Sequence, residues 1–257
     1  MKYLTLELTN RCNAKCRFCI NSRFKAYGDM SDEIFDKSLN DAKAFPELET
    51  IILNNIGEPF LLKNIMDKIR RVRKEFPKCK IVMFSNGSFL TTKILKEMKQ
   101  IENLVFDVSL NAINYKDRLE KMGLNDFVKV KKMIDKGLKM GVINKVTIVA
   151  DEPESDEFKE FIKMFPNKYI LIKYANFAGS LFDTSKPRLN CNRAKKELVV
   201  LFDGTITLCC MSSLKLSFGN IKELSLKEVW NSKERQNYKI AAEKGELFGI
   251  CSNCTGG

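Results

Sequence analysis

Cys12, Cys16 and Cys19 stand in the segment Cys-Asn-Ala-Lys-Cys-Arg-Phe-Cys, a Cys-x3-Cys-x2-Cys spacing. Three thiolates on one short loop can hold three irons of a four-iron cubane and leave the fourth iron open to a small ligand. A structural zinc site is the alternative, but three cysteines without a nearby fourth ligand serve it poorly. A second group, Cys191, Cys209, Cys210, Cys251 and Cys254, occupies the last quarter of the chain. Four of these suit either a fully thiolate-ligated cluster or a zinc ribbon. Cys79 stands apart and reads as a small, partly buried residue. The sequence has 9 cysteines and no histidine. Serine–histidine and cysteine–histidine catalysis, histidine-ligated zinc and haem are therefore excluded.

The elements that must position these cysteines come from the rest of the 257 residues, enough for one large α/β domain and a small appendage. The longest apolar run, Leu198 to Phe202, is far too short for a membrane helix. The N-terminus lacks the apolar run of a signal peptide, so a cytoplasmic protein is expected. The 44 basic and 32 acidic residues leave a charge of +12. Runs such as Arg70-Arg71-Val72-Arg73-Lys74 and Lys129-Val130-Lys131-Lys132 read as solvated helix faces, and nucleic acid is disfavoured as a partner. Short apolar segments at 2–9, 50–55, 80–85, 104–110, 145–150 and 169–174 read as strands, the first with Tyr3, Thr5 and Glu7 on one face and Leu4, Leu6 and Leu8 on the other. Helical periods fall at 31–45, 61–75, 91–100, 114–140 and 154–165, with Ser31 suited to cap the first. Alternation of this kind implies a parallel sheet with right-handed crossovers. The expected fold class is α/β, a partial (β/α)6 TIM-like barrel, with an open doubly wound sheet as the alternative.

The pattern changes after residue 174. Residues 176–190 form a loop-rich linker, then strands at 197–202 and 205–209 flank Asp203-Gly204, a hairpin-turn signal. A helix is expected over 225–244. The domains are thus 1–175, a linker at 176–190, and a small iron–sulfur domain at 191–257. Cys209 and Cys210, as strand neighbours, point to opposite faces, so one of them ligates.

The Cys-x3-Cys-x2-Cys motif with Phe18 before its last cysteine resembles that of the radical S-adenosylmethionine (radical SAM) enzymes. The resemblance implies that Cys12, Cys16 and Cys19 carry a [4Fe–4S] cluster whose open iron chelates SAM. One electron then cleaves the sulfonium to a 5′-deoxyadenosyl radical, the chemistry being the cofactors' own. Gly57-Glu58-Pro59 resembles the family's SAM-amine motif, with Ile56 in place of its first glycine. Ser85-Asn86 and the Ser109 to Asn111 stretch fall where the family contacts SAM. Singly these are ordinary turns; four features in register across four strands argue against coincidence. The resemblance covers about residues 1–175.

Cys191-x12-Gly204-x4-Cys209 followed by Cys251-x2-Cys254 resembles the abbreviated SPASM module called a twitch domain. That resemblance implies one auxiliary [4Fe–4S] cluster on Cys191, Cys209, Cys251 and Cys254, hence two clusters in all. Cys209 is preferred to Cys210 because it completes the Gly-x4-Cys spacing. Size and spacing are similar to the 2-deoxy-scyllo-inosamine dehydrogenase type, which implies an oxidoreductase turning an alcohol into a ketone. Peptide or side-chain maturation is the alternative within the family, and a zinc-containing nucleic-acid-binding protein the alternative outside it. The expected partners are a small-molecule or peptide substrate and a flavodoxin or ferredoxin-type reductant, with no membrane. A chain that opens at its first strand favours the small substrate. With no histidine, Glu152, Lys173, Tyr174 and Arg193 are the candidate bases.

Overall fold

A computed structural model describes residues 1–149, 154–182 and 191–256. The strands are β1 (Tyr3–Leu6), β2 (Thr50–Ile52), β3 (Lys80–Ser85), β4 (Leu104–Ser109), β5 (Lys145–Val149), β6 (Tyr169–Ile172), β7 (Glu197–Val200) and β8 (Ile206–Thr207). The helices are α1 (Asp32–Ala42), α2 (Ile65–Glu75), α3 (Thr92–Met98), α4 (Tyr115–Met122), α5 (Phe127–Lys139), α6 (Asp156–Met164), α7 (Asn192–Lys196), α8 (Leu226–Asn231) and α9 (Lys233–Lys244). This is the α/β class with a parallel sheet that the alternation predicts. Among the described residues no helix is long and apolar enough to cross a membrane.

The chain divides into two compact units that cut across its linear order. One comprises Met1–Arg11, Arg23–Gly57 and Ala175–Gly257, and the other Cys12–Ser22 and Glu58–Tyr174. In the first unit the strand order is β2-β1-β7-β8, parallel except for the antiparallel β7–β8 pair. In register, Leu4 lies beside Ile51 and Leu198, and Leu6 beside Val200, all fully buried. The opposite face is polar yet also buried: Thr5 and Glu197 are 2% and 1% exposed, and the Thr5 hydroxyl donates to Glu197 Oε1 at 2.8 Å. Alternation in β1 therefore marks two kinds of interior, as expected for a central parallel strand. In the second unit β3, β4, β5 and β6 run parallel in sequence order.

Ser31 caps α1 as its position predicts, accepting from the Ile34 N–H. Several boundaries differ from expectation. The 114–140 helix is two, because Gly123 turns left-handed at φ +69° and closes α4. The 225–244 helix is also two. Ser232 leaves helical backbone at ψ 144° and its hydroxyl accepts from the Arg235 N–H to start α9. The 50–55 strand ends at Ile52, and Asn55 turns its amide to the Glu7 carboxylate at 2.9 Å. The 197–209 hairpin is tighter at its strands and longer at its turn. Gly204 N–H donates to Leu201 O and Leu201 N–H to Thr205 O, so three residues make the connection, with Gly204 at φ +91°. Cys209 and Cys210 consequently lie beyond β8, where Cys210 opens a 3-10 turn. The alternating-face argument for this pair does not apply. Ala150, the end of the expected 145–150 strand, and residues 183–190 of the linker lie outside the described residues.

Candidate functional site: two cysteine centres

The loop 12–19 follows β1 and has no regular structure, yet it is pinned along its length. Lys15 N–H donates to Met122 O at 2.8 Å and Arg17 N–H to Lys121 O at 3.2 Å, so the end of α4 fixes its course. Ala14, Met122 and Leu124 form a buried apolar floor against which Cys12, Cys16 and Phe18 pack. Phe18 also meets Tyr174 edge-on, with ring centroids 5.8 Å apart. The Ala14 N–H points at Cys12 Sγ and the Asn21 N–H at Cys19 Sγ, both at 3.4 Å. Burial pushes the Cys12 thiol up to about 11 and the Cys16 thiol to about 12. Thiols so placed hold their protons until a soft metal displaces them.

The predicted contact motifs gather around this loop by bonding to one another. Glu58 is 2% exposed and accepts three hydrogen bonds, from the Phe60 N–H (3.1 Å), the Ser85 hydroxyl (2.8 Å) and the Asn86 N–H (2.7 Å). Burial still raises its carboxyl to about 7. Asn86 reaches onward, its amide donating to Asn13 Oδ1 at 2.8 Å and lying 4.0 Å from Cys12 Sγ. Glu58 thus joins the Gly57-Glu58-Pro59 and Ser85-Asn86 motifs, and Asn86 joins both to the cysteine loop. Pro59 opens the short 3-10 turn that Glu58 caps. Gly57 is required by space, since a Cβ there would lie 2.2 Å from the Thr9 carbonyl oxygen. Asn111, at φ +55°, accepts from the Val149 N–H at 2.8 Å and stitches the end of β4 to β5. Ser109 is half-buried beside Thr147.

Arg118 escaped sequence reading. It is fully buried, pairs with Asp126 at 2.6 Å, and donates to Asn86 O (2.7 Å) and Leu110 O (3.0 Å). It braces the turns after β3 and β4 at once. Nothing in an Asp-Arg-Leu helical segment distinguishes it from a solvated cation.

In the other unit, Cys191, Cys209, Cys251 and Cys254 line one cavity, closed by Leu208, Leu247 and Ile250, whereas Cys210 is not among its walls. Cys254 Sγ receives the Gly256 N–H at 3.3 Å. Burial raises the Cys209 thiol strongly and the Cys251 thiol to about 12. Arg193 lines the same cavity and is bound to Glu197, Nη1 to Oε2 at 3.3 Å. With its guanidinium held still more firmly protonated by neighbouring Cys210 and Glu197, Arg193 cannot serve as the base considered from sequence. Lys173 is exposed, Tyr174 stands against Phe18, and Glu152 lies outside the described residues. Among the described residues no three cysteine or acidic side chains converge closely enough for a single ion. A four-iron cluster would take one thiolate on each ligated iron, so its cysteines need not converge on a single point. The donor chemistry, all sulfur and desolvated, fits such clusters at both places.

Comparison with known proteins extends this geometry. The profile of the radical SAM superfamily matches residues 6–165, and that of the SPASM iron–sulfur cluster-binding domain matches residues 191–255. The chain is 26% identical to a tungsten-containing aldehyde ferredoxin oxidoreductase cofactor-modifying protein of Pyrococcus furiosus, over 99% of this chain and 87% of that one. It is 20% identical to the S-adenosyl-L-methionine-dependent 2-deoxy-scyllo-inosamine dehydrogenase of Niallia circulans, over 98% and 91%. In fold it is similar to BtrN in complex with AdoMet and 2-DOIA, with a TM-score of 0.65 at 18% identity, covering 100% of this chain and 93% of that one. Streptococcus suis SuiB bound to S-adenosylmethionine gives 0.74 at 16% identity, covering 99% and 72%.

Proposed function

The chain belongs to the radical SAM superfamily and carries a SPASM iron–sulfur domain, and from that premise we propose that it is a two-cluster oxidoreductase acting on an alcohol. The observation that carries this reading is the separation of the cysteines into two sets. Cys12, Cys16 and Cys19 share one loop, while Cys191, Cys209, Cys251 and Cys254 line a cavity in the other unit. Cys12, Cys16 and Cys19 would hold the cluster that binds SAM and supplies the one-electron chemistry for hydrogen abstraction, and Cys191, Cys209, Cys251 and Cys254 would hold a second cluster able to take up one electron.

The chain's own residues do the rest. Cys12, Cys16 and Cys19 hold three irons and leave one for SAM. The Glu58–Ser85–Asn86 joint sets the loops that orient SAM. Glu58, Gly57, Pro59, Ser109 and Asn111 remain the proposed surroundings of SAM, with Phe18 packed beneath the cysteine loop. The four cysteines of the cavity would ligate all four irons of a second cluster and leave none open to substrate. A small one-electron carrier of flavodoxin or ferredoxin type supplies the reducing electron, and a cytoplasmic setting keeps the thiols reduced. We retain the division into a barrel at 1–175, a linker at 176–190 and a twitch domain at 191–257 as the functional one.

A second reading, modification of a cofactor, is favoured by the 26% identity to the Pyrococcus furiosus cofactor-modifying protein over almost the whole chain. Anaerobic reconstitution tests the main assignment. About eight irons per chain are expected, with 5′-deoxyadenosine formed on reduction. The Cys12, Cys16 and Cys19→Ala triple variant should keep one cluster and make no deoxyadenosine. Continued deoxyadenosine formation would refute it, and the mass of the product separates ketone from crosslink.

A further inference from the structure

Arg193 stands at the wall of the four-cysteine cavity and pairs with Glu197, which does not line it. Arg193 lines it together with Cys191, Cys209, Cys251 and Cys254, and its side chain is 38% exposed. Glu197 is 1% exposed. Both Glu197 oxygens accept, Oε1 from the Thr5 hydroxyl at 2.8 Å and Oε2 from Arg193 Nη1 at 3.3 Å. Burial pushes the Glu197 carboxyl up, and the Arg193 guanidinium and the Thr5 hydroxyl, both donating to it, act against that rise, so the geometry is that of a buried carboxylate paired with a cation. The carboxylate is also immobile, because Thr5 sits on β1 and Glu197 begins β7 in the same sheet. The pair is therefore anchored at the start of β7, where that strand pairs with β1 inside the sheet.

We propose that the Arg193–Glu197 pair sets the reduction potential of the electron-accepting centre held by Cys191, Cys209, Cys251 and Cys254. This rests on the two-cluster reading above. An arriving electron adds one negative charge to a cavity walled by Leu208, Leu247 and Ile250, where charges are poorly screened. A permanent cation on the wall favours that charge, and a carboxylate opposes it. Arg193 stands at the cavity itself and Glu197 behind it, so the cation dominates and the site is poised to accept. Glu197 limits how far the potential rises and keeps the guanidinium in place. An acceptor tuned too low would return the electron to the substrate, and one tuned too high would not be reoxidised by an ordinary carrier.

The test is an EPR-monitored potentiometric titration of the reconstituted full chain. The first cluster is recognised by its spectral response to added SAM, and the second by its indifference. Arg193→Gln should lower the midpoint of the SAM-indifferent signal, Glu197→Gln should raise it, and Arg193→Lys should stay near wild type. Opposite signs from two neighbouring neutral substitutions are not expected of a loss of packing. Shifts of the same sign, or unchanged midpoints with full iron content, would overturn the pair's role. Should Arg193→Gln lose its iron, the upward shift in Glu197→Gln and the near-normal value in Arg193→Lys are still required. A wild-type protein with no SAM-indifferent signal would instead overturn the two-cluster reading, and this inference with it.

Discussion

Gly57 shows how little room a single position can leave. A methyl group there would meet the Thr9 carbonyl oxygen at 2.2 Å and the Arg11 carbonyl oxygen at 2.9 Å, and backbone cannot swing aside as a side chain does. Gly57→Ala should cost about 3 kcal/mol of stability, at the upper end for overpacking, as read from the urea midpoint; an unchanged midpoint would show that the close approach is dispensable. Glu7 is the residue whose chemistry most depends on its surroundings. It is fully buried, accepts from Asn55, Ile56 N–H and Phe202 N–H, and burial raises its carboxyl from 4.5 to about 7. The folded state therefore holds this proton more tightly than the unfolded chain does. Its contribution to stability is complete below about pH 4.5 and is lost as pH rises through about 7, up to about 3 kcal/mol. Glu58 and Asp107 shift in the same direction, so the wild-type curve alone cannot isolate Glu7. Glu7→Gln should flatten the slope of stability between pH 5 and pH 8, by about that much. Parallel curves for the two proteins would assign the slope to other groups.

At the scale of elements, the cysteine loop borrows its order from its neighbours. It donates two backbone hydrogen bonds to carbonyls at the end of α4, which stops at Gly123 in the left-handed region. Gly123→Ala should cost about 1–2 kcal/mol for the strained backbone, with Gly123→Asn costing less. Iron retention on mild chelation should follow the same order, because Met122 and Lys121 hold the loop through their carbonyls. Retention that ignores this order would mean that the loop keeps its course without α4. Glu58 has a comparable part between elements, since it ties the turn after β2 to the turn after β3. Glu58→Gln turns an acceptor of three bonds into a group with one acceptor oxygen. Weaker SAM binding at unchanged iron content is expected in a calorimetric titration, by about tenfold if one charge-assisted bond is lost. Equal affinity would remove Glu58 from the SAM site.

Across the whole molecule, the two cysteine sets belong to different compact units, so each centre should be removable without the other. Cys251 and Cys254→Ala should preserve the first cluster and SAM cleavage while uncoupling them from oxidation. Deoxyadenosine would then accumulate with little oxidised product, and normal product from a chain lacking the second cluster would defeat the electron-acceptor role. Much of this plan was legible in residue types and spacing. Cysteine periodicity, the absence of histidine, the alternation of strands and helices, and the Ser31 cap are local or compositional signals, each complete within a few residues. The breaks at Gly123 and Ser232 were written there too, as residues that leave helical backbone readily, but a continuous apolar period hid them. What only tertiary structure decided are pairings between distant positions. They include Thr5 with Glu197, Glu58 with Asn86, Arg118 with Asn86 and Asp126, and the Cys191 segment with Cys251. A charged side chain on a helix or strand has the same local signature whether it meets water or a buried partner. The distant partner is supplied by chain crossing, as when β7 returns to lie beside β1 and brings Glu197 to the Thr5 hydroxyl, while its cation Arg193 stands only four residues away in sequence.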